Sequence, residues 1–309
     1  MTTAATTAAA YPLPRERNLI LASLLALAAG AWALLIWRWA VMDEEMSLAM
    51  GMGAPVFIAL WIAMMVAIMF PTAAPMILMF ARVHNGKRER GQAFVPTWIF
   101  TGAYILVWSA TGALAYGLAV GGDALADESA WVMDNAARIG GGLLVVAGVY
   151  QLTPLKDVCL GKCRSPMSFV LHSWRDGAAG SFRMGVDHAV FCLGCCWLLF
   201  LILFPLGMMN IAVLATITAV IFLEKSTRWG RQIARAGGVA LIVYGAVVFA
   251  VPQALPMAMD DDHMAMSGGM QMDGMDEMPA AMPESDAMEG MPAMDGMGDM
   301  QEQQMDGMR

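Results

Sequence analysis

All five cysteines of the 309-residue chain fall between positions 159 and 196. Cys159 and Cys163 form a C-x3-C pair, and Cys192, Cys195 and Cys196 follow His188 on an apolar run. At about 100° per residue, His188, Cys192, Cys195 and Cys196 project within a sector of about 100° on one helix, while Asp187 points elsewhere. Three thiols and an imidazole on one face are a donor set for a thiophilic ion, Cu(I) foremost and Zn(II) as the alternative. The C-x3-C spacing falls in the range of structural zinc sites, but no second paired motif follows it. The competing reading is packing, because a free cysteine behaves as a small hydrophobe and small residues let membrane helices approach closely.

Methionine supplies the second kind of sulfur. Of 31 methionines, 16 lie in residues 252–309, with 13 acidic residues and Arg309 as the only base. Short units repeat there: His263 with Met264 and Met266, then Met270, Met272, Met275 and Met278, then Met294, Met297 and Met300. A thioether is a neutral, soft ligand that selects Cu(I) or Ag(I) over hard cations, and it binds without losing a proton. His263 adds an imidazole that Cu(II) would also accept. Rich in Gly, Pro and Asp and without an apolar period, the segment is expected to be a disordered, acidic, metal-capturing tail. Its alternative is a solubilising tail with incidental methionines, or an oxidant sink. Upstream, Met42, Met46, Met50 and Met52 crowd one connection, and Met65, Met69, Met76 and Met79 fall within about 40° of one line on a helix. That stripe reads equally as a path of weak thioether sites or as core packing.

Other titratable residues carry less signal. His84, beside Arg82 and Lys87, reads as a solvated loop histidine; His172 reads as a loop residue or a further ligand; Glu224 and Lys225 read as an interfacial ion pair. The chain has no phosphate-binding loop, no H-E-x-x-H helix and no G-x-S-x-G elbow, so ATP-driven pumping by this chain alone is disfavoured and it is not read as an enzyme.

The elements that must position these groups follow from composition. With 59% hydrophobic and 14% charged residues, against about 25% charged in soluble domains, the sequence predicts an all-α, polytopic helical membrane bundle. Seven spans are placed at 19–41, 54–81, 95–120, 137–153, 187–205, 207–223 and 234–251, after a segment 1–18 and before the tail 252–309. A variant with five or six spans makes 187–223 a hairpin or re-entrant pair, and an even count would bring the tail inside. The first span reads as an uncleaved signal anchor. Basic clusters at Arg15/Arg17, Arg82–Arg90, Lys156–Arg183 and Lys225–Arg235 occupy every second connection, which predicts a cytoplasmic N-terminus and a periplasmic or extracellular tail in a bacterial inner membrane. A net charge of −8, with its contrast following topology, disfavours a nucleic-acid partner. Pro71 and Pro75 in the second span imply either a tolerated kink or a broken helix lining a site.

Residues 61–75 (WIAMMVAIMFPTAAP), 151–166 (QLTPLKDVCLGKCRSP), 187–197 (DHAVFCLGCCW) and 222–225 (FLEK) give a resemblance over roughly residues 55 to 250. The chain resembles an uncharacterised bacterial family of predicted metal-binding integral membrane proteins. The resemblance implies a multi-span inner-membrane protein and points to Cys159, Cys163, Cys192, Cys195 and Cys196, with Pro71, Pro75, Lys156 and Glu224 in support. It does not extend to the Met-rich tail.

Together these readings predict a copper-handling membrane protein. Its tail would capture Cu(I), Met42, Met46 and Met50 would receive it, and methionines and cysteines of the membrane domain would pass it on, by import or by delivery. The expected partners are the bilayer, a soft metal ion, and a periplasmic copper chaperone or a membrane cuproenzyme. The alternatives are a membrane thiol-disulfide oxidoreductase using the cysteines, and a non-transporting membrane protein whose tail buffers metal.

Overall fold

The computed structural model describes residues 14–41, 48–49, 51–91 and 95–255. Among them every regular element is helical: α1 (Pro14–Val41), α2 (Ala54–Glu89), α3 (Thr97–Glu128), α4 (Ala130–Asp134), α5 (Ala136–Gln151), α6 (Pro154–Arg164), α7 (Pro166–Ser173), α8 (Gly177–Leu201), α9 (Leu203–Leu206), α10 (Ile211–Ser226) and α11 (Gly230–Ala250).

Five helical stretches are long and apolar enough to cross a membrane: Arg15–Val41, Ala54–Arg88, Thr97–Glu128, Gly177–Leu206 and Gly230–Ala250. A sixth arises if Ala136–Gln151 and Pro154–Arg164, bent by 64° at their junction, count as one span. Pro154 at the first turn of α6 lacks the amide needed to continue α5, and Thr153 caps the new helix by accepting from the Lys156 amide. The seventh expected span corresponds to α10, whose 16 residues extend about 24 Å against a hydrocarbon thickness of about 30 Å.

The long helices outrun their apolar runs. α2 continues through Pro71 and Pro75 as one helix and carries on into Lys87 and Arg88. α8 begins ten residues before the expected start, so Cys192 lies midway along Gly177–Leu206. The short helices stop at that level. α5 sets Gly140 in its first turns against Pro205 and ends where the Tyr150 hydroxyl donates to the Gly194 carbonyl, its ring edge-on to Trp197. α10 leaves the turn at Gly207, is capped by the Asn210 side chain at 3.1 Å from the amides of Ala212 and Val213, and ends with Lys225 at Cys192. Around the other half of α8, Phe169 of α7 packs on His188 and Phe191, and Trp174 stacks over His84 and Phe80 of α2. Asp176, outside the spans, accepts from Lys87 and from Trp174, and these contacts hold its carboxyl below the usual carboxylate range.

Two crossings depend on absent side chains. A Cβ at Gly185 would lie 2.4 Å from the Phe100 carbonyl oxygen, which fixes α3 against α8. Gly148 and Gly238 likewise let α5 and α11 meet backbone to backbone, with a Cβ on Gly148 falling 2.6 Å from the Gly238 oxygen.

Candidate metal centre

The site is built around one turn of α8. Cys195 and Cys196 each return their thiol to the Cys192 carbonyl, at 3.1 and 2.8 Å, the i to i−3 and i−4 pattern that short polar side chains adopt on a helix. This draws three sulfurs to one buried face. α6 runs beside it: Cys163 Sγ lies 4.0 Å from Cys195 Sγ, and a Cβ on Gly194 would fall 2.9 Å from Cys159 Sγ. Glycine at 194 is what allows the Cys159 thiol to sit against the α8 backbone. All five cysteines are free, with Cys192, Cys195 and Cys196 buried and Cys159 and Cys163 partly exposed. Thiols at a helix surface therefore lead directly to thiols in the core.

Further side chains at the site come from α2, α3 and α10. Met69 Sδ stands 3.8 Å from Cys192 Sγ, and the Thr72 hydroxyl donates to the Met69 carbonyl at 3.0 Å while lying 3.9 Å from its sulfur. The Tyr104 hydroxyl is 3.0 Å from Cys192 Sγ. Lys225 Nζ donates to Cys192 Sγ at 3.1 Å and to Met69 Sδ at 3.6 Å. Next to Lys225, Glu224 is engaged elsewhere: its carboxylate accepts from Lys156 Nζ at 2.7 Å and from Gln151 Nε2 at 3.3 Å, with the Lys156 ammonium also donating to the Gln151 amide oxygen. Lys156 and Glu224 are 1% and 2% exposed, so this pair is a buried clamp joining α5, α6 and α10 beneath the sulfur cluster.

The structure sorts the sequence candidates. Met69, Cys192, Cys195, Cys196, Cys163 and Cys159 come together. His188 is buried one turn away, its ring stacked against Tyr104 and Phe100 and met edge-on by Phe169, with Nδ1 lacking a hydrogen-bond partner. Among the described residues no group of three or more His, Cys, Asp or Glu side chains is arranged to hold a metal ion, so His188 and the three cysteines do not form a closed four-ligand cage. Met65 and Met76 are fully buried in the bundle core and Met79 packs at its edge, as filler does, while Met69 alone of the stripe bonds to the cysteines. Met52 Sδ receives Arg38 Nη2 at 3.7 Å. Met42, Met46 and Met50, and the tail set His263, Met264, Met266, Met270, Met272, Met275, Met278, Met294, Met297 and Met300, lie outside the described residues.

Three sequence readings need correction. His84 is not a solvated loop residue: α2 extends past it, and it is 1% exposed between Phe80 and Trp174, with Nδ1 accepting from the Val95 amide at 3.3 Å. Glu224 and Lys225 do not pair with each other, because adjacent positions on a helix diverge by about 100° and each meets a different neighbour. His172, the alternative further ligand, is exposed on α7 and bonds the Ser168 carbonyl at 2.8 Å, away from the sulfurs. Tyr104 was not singled out from sequence, and Lys225 was read only as half of an ion pair, its one signal being a base at the end of an otherwise apolar segment.

A buried thiol cluster touching a thioether is the donor chemistry of a soft-metal carrier, and the chain matches the copper chaperone family PpoB2 over residues 58–248. The protein belongs to that family, and the matched stretch contains every residue of the sulfur cluster and of the Lys156–Glu224 clamp. No curated protein and no solved structure matches it.

Proposed function

We propose that this protein is a membrane-embedded Cu(I) chaperone and not an enzyme, carrying the ion as cargo from external thioethers to the thiols of α8 and α6 and delivering it to a copper-accepting partner. The contact that carries this reading is Met69 Sδ at 3.8 Å from Cys192 Sγ, where a neutral thioether meets a thiol network. Thiolate holds Cu(I) more strongly than thioether does, so transfer from Met-rich donors to this cluster is downhill without ATP. Cys163 and Cys159, partly exposed, then offer the way off the buried site by ligand exchange. An open, incomplete ligand set suits a carrier, which must release its ion; a closed cage would retain it.

In this reading the acidic Met-rich tail is the collector, the basic connections are cytoplasmic, and the tail faces the periplasm. The assignment to delivery over import follows the family's description as copper chaperones. It is tested by copper content of cells and purified membranes carrying the intact chain, a deletion after Val251, or Cys192→Ser with Cys196→Ser. Lower copper in a membrane cuproenzyme with both variants supports delivery. Unchanged copper in every acceptor, with loss only of tail-bound metal, leaves the tail as a buffer.

A second reading rests on one distance. Cys163 Sγ and Cys195 Sγ, 4.0 Å apart and free, form a dithiol that needs only a small side-chain movement to close a disulfide, as a thiol oxidoreductase requires. Cys163→Ser would abolish dithiol turnover there, and methionine replacements would leave it unchanged.

A further inference from the structure

The Met69–Cys192 sulfur pair already has a cation on it. Lys225 Nζ bonds both sulfurs, at 3.6 and 3.1 Å, while the sulfurs themselves stand 3.8 Å apart. Zinc binds thiolate sulfur at about 2.3 Å, and an ion bound at a comparable length to both sulfurs would lie within a few ångströms of the ammonium, in the buried core beside the Tyr104 hydroxyl. Two monovalent cations that close repel strongly away from water. The adjacent carboxylate offers no relief, because both Glu224 oxygens are engaged by Lys156 and Gln151. Lys225 is also free to leave: it is the penultimate residue of α10, only partly buried, on a flexible four-carbon stem.

We propose that Lys225 is the exchange group of the copper site: its ammonium occupies the Met69–Cys192 pair in the empty protein, swings aside when Cu(I) enters, and returns as the ion is handed on. This rests on the reading that Cu(I) docks at Cys192. On loading, Cu(I) forms bonds to the Cys192 and Met69 sulfurs, the Cys192 thiol proton leaves to solvent, and no electron moves. At the sulfur one monovalent cation replaces another, Cu(I) for the thiol proton, and the ammonium carries its own charge and proton out of the pocket. The group thus weakens the resting affinity and fills the site on release, so that the sulfurs are never left without a partner.

The test uses the full-length protein in nanodiscs, with free Cu(I) set by a Cu(I)-selective chelator and Cys192 occupancy read as protection from alkylation in peptide mass spectra. That readout is specific to Cys192, whatever the tail binds. Lys225→Gln, uncharged and without a sulfur that could itself bind the ion, is expected to reach half-protection at about tenfold lower free Cu(I) than the parent and to release the ion correspondingly more slowly. Lys225→Arg, which keeps the charge, stays within about twofold of the parent. If Lys225→Gln does not fold, Lys225→Leu carries the same expectation. Equal or weaker protection in a folded neutral variant overturns the exchange role and leaves Lys225 as a structural donor. Absence of protection in the parent and all variants refutes copper docking at Cys192 itself, a separate result.

Discussion

Met69 on α2 and Cys192 on α8, 123 positions apart, hold their sulfurs at 3.8 Å, while Cys195 on the same turn of α8 lies 4.0 Å from the Cys163 sulfur of α6. The thioether therefore meets the thiol network at Cys192, and the partly exposed Cys163 meets it at Cys195. Two helices that share no local sequence signal create this step, and its chemistry sets the order of ligands along any copper path. Met69→Leu keeps the volume and removes the donor, so it should slow loading of the α8 thiols from added Cu(I) by roughly tenfold while costing under about 1.5 kcal/mol of stability. Stopped-flow loading and thermal unfolding in detergent measure the two quantities independently.

The Lys156–Glu224 clamp gives a different signature. Glu224→Met or Lys156→Met leaves one buried charge unpaired and should cost about 3–5 kcal/mol, whereas the two changes combined should recover most of that loss. Chemical or thermal denaturation of the three variants provides the double-mutant cycle. Equal losses in the single and double variants would mean the clamp stabilises through packing alone.

Close helix approach at Gly185 is equally exposed to test. Gly185→Ala places a Cβ where 2.4 Å separates it from a backbone oxygen, so α3 and α8 must part, with a loss of about 1–3 kcal/mol and a displaced Tyr104–Cys192 contact. Gly142→Ala, with open space around the new methyl, should leave the melting temperature nearly unchanged. Thermal shift assays on both variants distinguish crossing geometry from a general intolerance of alanine.

Membrane topology turns on α10. Its end at Lys225 lies level with the midpoint of α8, and the basic residues Arg228, Arg231 and Arg235 follow at once. Under the proposed topology the turn after Ser226 is cytoplasmic and residue 309 periplasmic, as the positive-inside rule expects. Impermeant thiol labelling of single cysteines introduced at Thr227 and at Gly307, in a background lacking native cysteines, should label the second alone from outside intact spheroplasts. Labelling of neither from outside would reverse the tail and remove it from external capture.

The cysteine cluster was legible because its spacing matches the helical period, and the all-helical, apolar architecture was legible from composition. Span boundaries were less so. α2 and α8 run beyond their apolar stretches into charged residues, since packing against Trp174, Phe169 and His84 stabilises turns that hydropathy alone assigns to loops. His84 was misread for that reason. Lys225 was misread because its partners come from α2 and α8, and no local pattern in residues 211–226 announces them. The Met stripe was legible as a stripe but not as a choice: only the tertiary packing separates Met69, which meets thiols, from Met65 and Met76, which fill the core.

The most direct test of the central claim loads the full-length protein with one equivalent of Cu(I) and maps protected thiols by alkylation and mass spectrometry. The account predicts that Cys192 and Cys195 are protected even though 16 tail methionines compete for the ion, and that Cys192→Ser leaves Cys195 and Cys163 reactive. Full reactivity of all five cysteines, with the ion held by the methionines alone, would contradict it.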